Sequence, residues 1–306
     1  MPASIATAAR PNRVLPGILM SLLAILLFDL MGLVIKHLSD SYGAAELSAY
    51  RNLFGLIPAL IALALSRQWR DGGRRIRLRQ WWIPVIRGMA VTVAQFCFYL
   101  ALARLAFATA ATISYSNALF ILVYSVPLLG ERVGLFRWSA ALVGFAGVLM
   151  VMGPGRDSFT WEALLPLVAA SLYAFAGVSS RMMDQDVPSP LINLWSSSVS
   201  AIAAFALAMA LGGFTPPASL ADMGWILVMG LCGGSAVLSM VVAYRVTEPG
   251  NLAPFAYSGI PTAFVLGWLF FGESPFSDLF PGAILIIAGG LMILWRERRM
   301  RRRKAA

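Results

Sequence analysis

Apolar residues in this chain come in runs of about twenty, separated by short polar or turn-rich breaks, without the alternation of a half-buried strand. A helix needs about 20 mostly apolar residues to cross a bilayer. Ten segments meet or approach that length: 14–36, 47–65, 82–103, 106–129, 135–152, 161–180, 191–211, 223–244, 252–271 and 279–295. The fifth and tenth are short and would stand nearly upright. The breaks carry turn chemistry: "MGPGRD" follows the fifth segment, "DVPSP" precedes the seventh, "GGFTPP" follows it, and "TEPGN" parts the eighth from the ninth. Connections this short make successive helices antiparallel neighbours. The expected fold class is an all-α integral membrane protein of ten transmembrane helices.

Composition agrees with that pattern. Hydrophobic residues make up 59% and charged residues 12% of the chain, against roughly a quarter charged in a soluble domain. Mean hydropathy is +0.77. The net charge of +10 gathers in "SRQWRDGGRRIRLRQ" and in the tail "WRERRMRRRKAA". Basic runs can bind nucleic acid, but these flank apolar segments and read as cytoplasmic anchors, so no nucleic-acid partner is expected. Ten spans put both termini on one side. With that side cytoplasmic, 20 of the 24 Lys and Arg lie inside, and only Lys36, Arg51, Arg104 and Arg156 lie outside. The expected location is a bacterial inner membrane, multi-pass, with both termini cytoplasmic. Arg10 and Arg13 before the first segment resemble a signal peptide, but the apolar run is too long and lacks a clear cleavage site. It reads as an uncleaved first span.

Little in the sequence suggests covalent chemistry. Cys97 and Cys232 both sit in apolar runs, and His37 is the one histidine. The acids are scattered, and no phosphate-cradling glycine loop is present. The expectation is no enzyme, no catalytic residue, no metal and no cofactor.

The chain repeats itself. "LLFDLMGLVIK" resembles "SLYAFAGVSSR", with Phe28 on Tyr173, Gly32 on Gly177 and Lys36 on Arg181. "SYSNALFILVYSVPLLGE" matches "AYSGIPTAFVLGWLFFGE", with Tyr115 on Tyr257 and Gly130-Glu131 on Gly272-Glu273; "AGVLMV" falls on "AGGLMI". Five helices per half is an odd number, so the halves run in opposite directions. Inverted repeats are a recurring transporter architecture, with the substrate site near the midplane between the halves. These features together resemble the drug/metabolite transporter superfamily, in its bacterial branch with two EamA-type domains. The resemblance covers about 14–295. It implies a first repeat at 14–153, a second at 160–295 and a basic tail at 296–306. It also implies a carrier for amino acids, drugs or other small metabolites, often an exporter. Helices 1–4 and 6–9 would line a central cavity, with helices 5 and 10 as a scaffold. Gly144, Gly147, Gly289 and Gly290 suit close packing of that scaffold, although glycines are common in membrane helices generally.

Polar residues at membrane depth are the candidate site. Asp29 interrupts "AILLFDLMGLVIKHL". A carboxylate at mid-membrane costs about 2.5–3.5 kcal/mol on insertion scales. Ser21, Asp29, Gly32 and Lys36 share one stripe of the helix, opposite Leu23, Leu27, Leu30 and Val34, so the stripe should face the bundle interior. Asp29 could bind a cationic group or a proton, or could simply hold a neighbouring helix. The second repeat has Ala174 at the matching place, so a structural need common to both halves does not explain the acid. Lys36, seven residues on and roughly 10 Å along the helix, is too far for a direct pair with it. Gln95 and Tyr99 are one turn apart on the third helix; Ser114, Tyr115 and Asn117 break the fourth. Tyr173, Ser239 and Tyr257 fall on the sixth, eighth and ninth. Tyrosines also belt the membrane interface, but the repeat places Tyr115 and Tyr257 alike. Arg51 and Arg87 open the second and third helices, where arginines usually snorkel to the interface; either could instead meet an anionic solute. Pro127 and Pro261 are candidate kinks in the fourth and ninth helices, or packing features.

The functional expectation is a secondary transporter moving an amino acid or similar amphipathic solute by alternating access, export favoured, with Asp29 as a candidate for proton coupling. An uptake carrier for a vitamin- or nucleoside-like metabolite is the near alternative, and a membrane-embedded enzyme or a channel the distant one. The expected partners are a small solute and the bilayer. The oligomeric state is left open, with a monomer sufficient.

Overall fold

A computed structural model describes residues 13–130, 134–152, 160–247, 252, 255, 258–273, 280–288 and 292, with only the backbone of Ala118, Phe136, Arg137, Ala140 and Ala141. Among these residues the chain is helical, without strands. The helices are α1 (Val14–Leu38), α2 (Ala44–Leu65), the short α3 (Arg67–Asp71), α4 (Trp82–Leu102), α5 (Phe107–Ser114), α6 (Asn117–Leu129), α7 (Leu135–Met152), α8 (Leu164–Ser179), α9 (Ser189–Ala210), α10 (Leu220–Val246) and α11 (Gly259–Phe271). Residues 282–288 are also helical. Among the described residues, seven helical stretches are long and apolar enough to cross a membrane, with Leu142–Val151 and Gly259–Phe271 as shorter apolar helices.

The first eight expected segments coincide with these helices to within a few residues. The ninth and tenth are described only in part. The expected break in the fourth segment is a tight turn: Tyr115 N–H donates to Ala111 and Thr112, and Ser116 N–H to Ile113, so α5 and α6 meet without a loop. Gly130 and Gly272 close α6 and α11 in the left-handed conformation, at φ 66° and 63°. Glycine adopts that backbone without strain, which is why it ends helices. Both belong to the Gly-Glu pairs of the repeat.

Apolar side chains face outward. Leu15, Leu19, Leu23, Leu26 and Leu30 form an exposed ridge on α1, and Trp268, Leu269 and Phe270 do so on α11. A soluble monomer rarely exposes so much contiguous apolar surface. On the inward side of α1, Ser21, Asp29 and Gly32 are buried. Val34, expected on the outer side, is buried too, at 4% exposure, because α10 and the α5–α11 end of the bundle both flank α1.

Two glycine crossings set the helix spacing. A Cβ on Gly234 of α10 would lie 2.6 Å from the Cα of Gly55 on α2. Gly147 of α7 and Gly282 meet the same way, each Cβ position lying 2.6 Å from the other's carbonyl oxygen. Gly144 instead packs on the Leu119 side chain. Gly289 and Gly290 lie outside the described residues. Pro127 sits one turn from the end of α6. Pro261 is the third residue of α11, in the first turn, where no intrahelical partner for its missing N–H is lost.

Candidate functional site

A cavity of about 180 Å³ lies between α1, α2, α4, α5, α6, α8 and α10. Its wall is mostly apolar and aromatic, with Phe28, Phe98, Phe107, Tyr115, Tyr173 and Tyr244. One acidic and two basic side chains also reach it: Asp29 from α1, Arg51 from α2 and Arg87 from α4. They are 5%, 2% and 4% exposed, respectively.

Asp29 is held by one strong bond. The Tyr115 hydroxyl donates to its Oδ1 at 2.6 Å, and its Oδ2 is buried with no partner among the described residues. Tyr115 reaches Asp29 because the α5–α6 turn aims it inward and because Gly259 leaves it room; a methyl there would overlap the phenol ring. The tie from α1 to the α5–α6 turn thus depends on a glycine at the start of α11.

Arg51 and Arg87 depart from the expectation of helix-end anchoring. α2 begins at Ala44 and α4 at Trp82, which places each arginine more than one turn inside its helix. Arg51 Nη1 donates to Asn52 Oδ1 at 2.8 Å and Nη2 to the Gly233 carbonyl at 2.6 Å. Asn52 and Ser48 both donate to Gln95 Oε1, at 2.6 and 2.8 Å, and Gln95 Nε2 returns a bond to Asn52 Oδ1 at 3.2 Å. This network ties α2 to α4 and, through Arg51, to α10. Arg87 Nε donates to the Ala176 carbonyl on α8 at 2.6 Å and Nη1 to Ser196 Oγ on α9 at 3.1 Å. Neither arginine meets a carboxylate at salt-bridge distance among the described residues. A lone charge in such a place is expensive.

The other expected site residues divide. Gln95, Ser114, Asn117 and Tyr173 lie on the wall. Asn117 also donates to the Ala170 carbonyl at 3.1 Å, joining α6 to α8. Tyr99 is not on the wall: one turn from Gln95, it points into the core among Met31, Leu47 and Phe107. Ser239 is buried on α10 away from the wall, and Pro127 and Pro261 do not reach it. Tyr257 lies outside the described residues. Lys36 stands at the end of α1, where its Nζ is 2.9 Å from Glu273 Oε1 and donates to the Leu105 carbonyl at 2.8 Å. Glu273 Oε2 accepts the Phe107 N–H at 2.7 Å. The pair clasps α1, the start of α5 and the end of α11 together, outside the cavity.

Several wall residues escaped the sequence reading. Phe28 carried a signal, since the repeat sets it on Tyr173. Ser48 and Asn52 stand behind the wall, where they hold Gln95 and Arg51; they carried a signal too, being polar residues four apart on an apolar helix beside Arg51. Phe98, Phe107 and Tyr244 look like ordinary apolar positions and carried none. Among the described residues no group of three or more His, Cys, Asp or Glu could hold a metal. The wall offers acceptors, guanidinium donors and aromatic faces, which suit holding a solute.

Residues 15–153 and 160–295 each match the EamA-like transporter family. The chain belongs to that family. The resemblance to drug/metabolite transporters is thereby established, and this EamA-type chain is an integral membrane transporter. It is 28% identical over 298 residues to a riboflavin transporter of Rhizobium johnstonii, covering 97% of each chain. It is 26% identical to the pseudopaline exporter CntI of Pseudomonas aeruginosa, over 89% of this chain and 93% of that one. With an S-adenosylmethionine uptake transporter of Rickettsia prowazekii it shares 22% identity over 93% of this chain and 94% of the other. A solved crystal structure shares the fold at a TM-score of 0.70 and 19% identity, over 93% of this chain and 98% of that one. The cargoes named for these three relatives differ.

Proposed function

We propose that this chain is a secondary carrier that moves a small amphipathic metabolite across a bacterial inner membrane by alternating access through the cavity. The observation that carries the reading is the wall itself: aromatic faces with Asp29, Arg51 and Arg87 buried among them at membrane depth. Intramembrane ionisable residues facing a cavity mark solute and ion pathways. An amino acid or a heterocyclic metabolite fits such a wall, and export is the direction assigned. The named relatives include both an exporter and an uptake transporter, so the flux experiment reads both directions. Purified carrier in proteoliposomes is expected to show saturable flux and counterflow of its solute. Flux that rises linearly with concentration and shows no counterflow would make it a channel.

In the proposed architecture ten helices form two inverted repeats, at 14–153 and 160–295, followed by a basic cytoplasmic tail at 296–306. The helix contacts support this. α1 packs on α10 as α8 packs on α4, and α2 packs on α10 as α4 packs on α9. Each pair maps onto the other when the first five spans are laid on the second five. Both termini are assigned to the cytoplasm. Asp40, in the α1–α2 loop, and Asp71, at the end of α3, are exposed. Asp71→Cys should react with a membrane-impermeant maleimide only after the cytoplasmic face is opened, and Asp40→Cys from the outside. Labelling of both from one side would sink the inverted topology.

A further inference from the structure

We infer that the carried solute bears a carboxylate, or a comparably flat oxyanion, whose counter-ions are Arg51 and Arg87. The inference rests on the carrier reading above and names the solute class for that same cavity. Both guanidiniums are buried in one wall, yet among the described residues the hydrogen-bond partners of both are neutral: a carbamoyl oxygen, a hydroxyl and two backbone carbonyls. Neutral acceptors orient a guanidinium without cancelling its charge. The one acid on the described wall does not cancel it either. Asp29 is engaged by Tyr115 and makes no ion pair with either arginine. The wall therefore carries two cations against one acid, and a single positive charge is left over even when Asp29 is ionised.

Donor geometry points the same way. A guanidinium offers five N–H groups in a planar fork suited to a carboxylate. The bonds above use two on each arginine, and Arg51 Nε is buried without any acceptor. Gly233 gives Arg51 its place, since a Cβ there would lie 3.0 Å from Nη2. A neutral solute would leave the surplus charge in a low-dielectric site, and a purely cationic one would add to it. A carboxylate on an aromatic body satisfies both the fork and the rings of Phe28, Phe98 and Tyr173. A zwitterion would also present an ammonium group to the free Oδ2 of Asp29.

The test uses full-length protein in detergent and four probes that share one body: 3-phenylpropionate, phenylalanine, phenylethylamine and 3-phenylpropanol. The two carboxylates are expected to raise the melting temperature by about 2 °C or more at millimolar concentration, the amine and the alcohol not. Arg51→Lys and Arg87→Lys keep the charge but lose the fork, and should weaken the carboxylate response about tenfold. Arg51→Gln and Arg87→Gln should remove it. An equal response to the alcohol or amine, no response to either carboxylate, or a response unchanged in both Gln variants would overturn the inference. So would an equal shift when sodium chloride replaces the sodium salt of the carboxylate at the same concentration, since the arginines would then hold an inorganic ion. Carboxylate binding without saturable flux would sink the carrier reading and leave the anion site standing.

Discussion

Asp29→Asn is expected to leave the protein folded and to stop it concentrating solute when a pH difference is imposed. Asparagine keeps the shape of the side chain, and its oxygen can still accept from Tyr115. It cannot take up or release a proton. In the native wall Oδ1 is committed to the Tyr115 hydroxyl, so Oδ2 is the atom on which a proton or a solute ammonium would sit. Competition between the two for one carboxylate would couple them without a second ion site. The other ionisable groups on the wall are Arg51, Arg87, Tyr115, Tyr173 and Tyr244. None of them is a carboxylate that could take an ammonium group in place of Asp29. The expected loss of concentrative transport is about tenfold or more, in line with coupling energies of ~1–3 kcal/mol. The measurement is solute accumulation in proteoliposomes under an imposed pH gradient, beside counterflow without one. Accumulation at native levels in the Asn variant would make Asp29 a structural tie between α1 and the α5–α6 turn.

The second large effect concerns folding. Gly234→Val should destabilise the protein by about 3 kcal/mol or more, the upper end of what overpacking costs. Its new Cβ would meet the backbone of Gly55, at 2.6 Å from Cα and 2.9 Å from the carbonyl carbon. A clashing side chain can change rotamer; a backbone cannot. Relief therefore needs α2 and α10 to separate, which also draws Arg51 from the Gly233 carbonyl. Gly224→Ala on the same helix is the control. No atom lies within 4 Å of its Cβ position, so this change should be neutral or slightly stabilising through helix propensity. Thermal melts in detergent decide the point, and equal melting of both variants would mean that the crossing is not close-packed.

Much of the helix pattern was readable because each apolar run is bounded by turn residues. The repeat was readable because its Gly-Glu pairs end corresponding helices. Asp29 stood out as a lone acid in an apolar run. The two arginines were misjudged for a specific reason. α2 starts a few residues before the apolar run does, at "AAEL", so Arg51 looked terminal when it is not. Arg87 stands near the start of its apolar run, where an arginine reads as an interface anchor, but it lies more than one turn inside α4. Burial of both depends on acceptors from other helices, Gly233, Ala176 and Ser196, which no local pattern encodes. Tyr99 shares a helix face with Gln95, but packs in the core with Met31, Leu47 and Phe107 from other helices, neighbours that the sequence of α4 does not encode.

The Arg51–Gly233 bond also bears on how the protein is made. Its two residues are 182 apart in the chain. At ~5–20 residues per second, roughly 10–40 s of synthesis separate them. During that interval α2 holds a guanidinium whose acceptor on α10 does not yet exist, at an insertion cost of ~2.5–3.5 kcal/mol. Arg87 waits less, for acceptors 89 and 109 residues downstream. Early helices thus gain the acceptors for their buried arginines only as later helices join them. Full burial of the Arg51 guanidinium therefore waits on α10, so a nascent chain halted before α10 should hold α2 less firmly than the finished protein does.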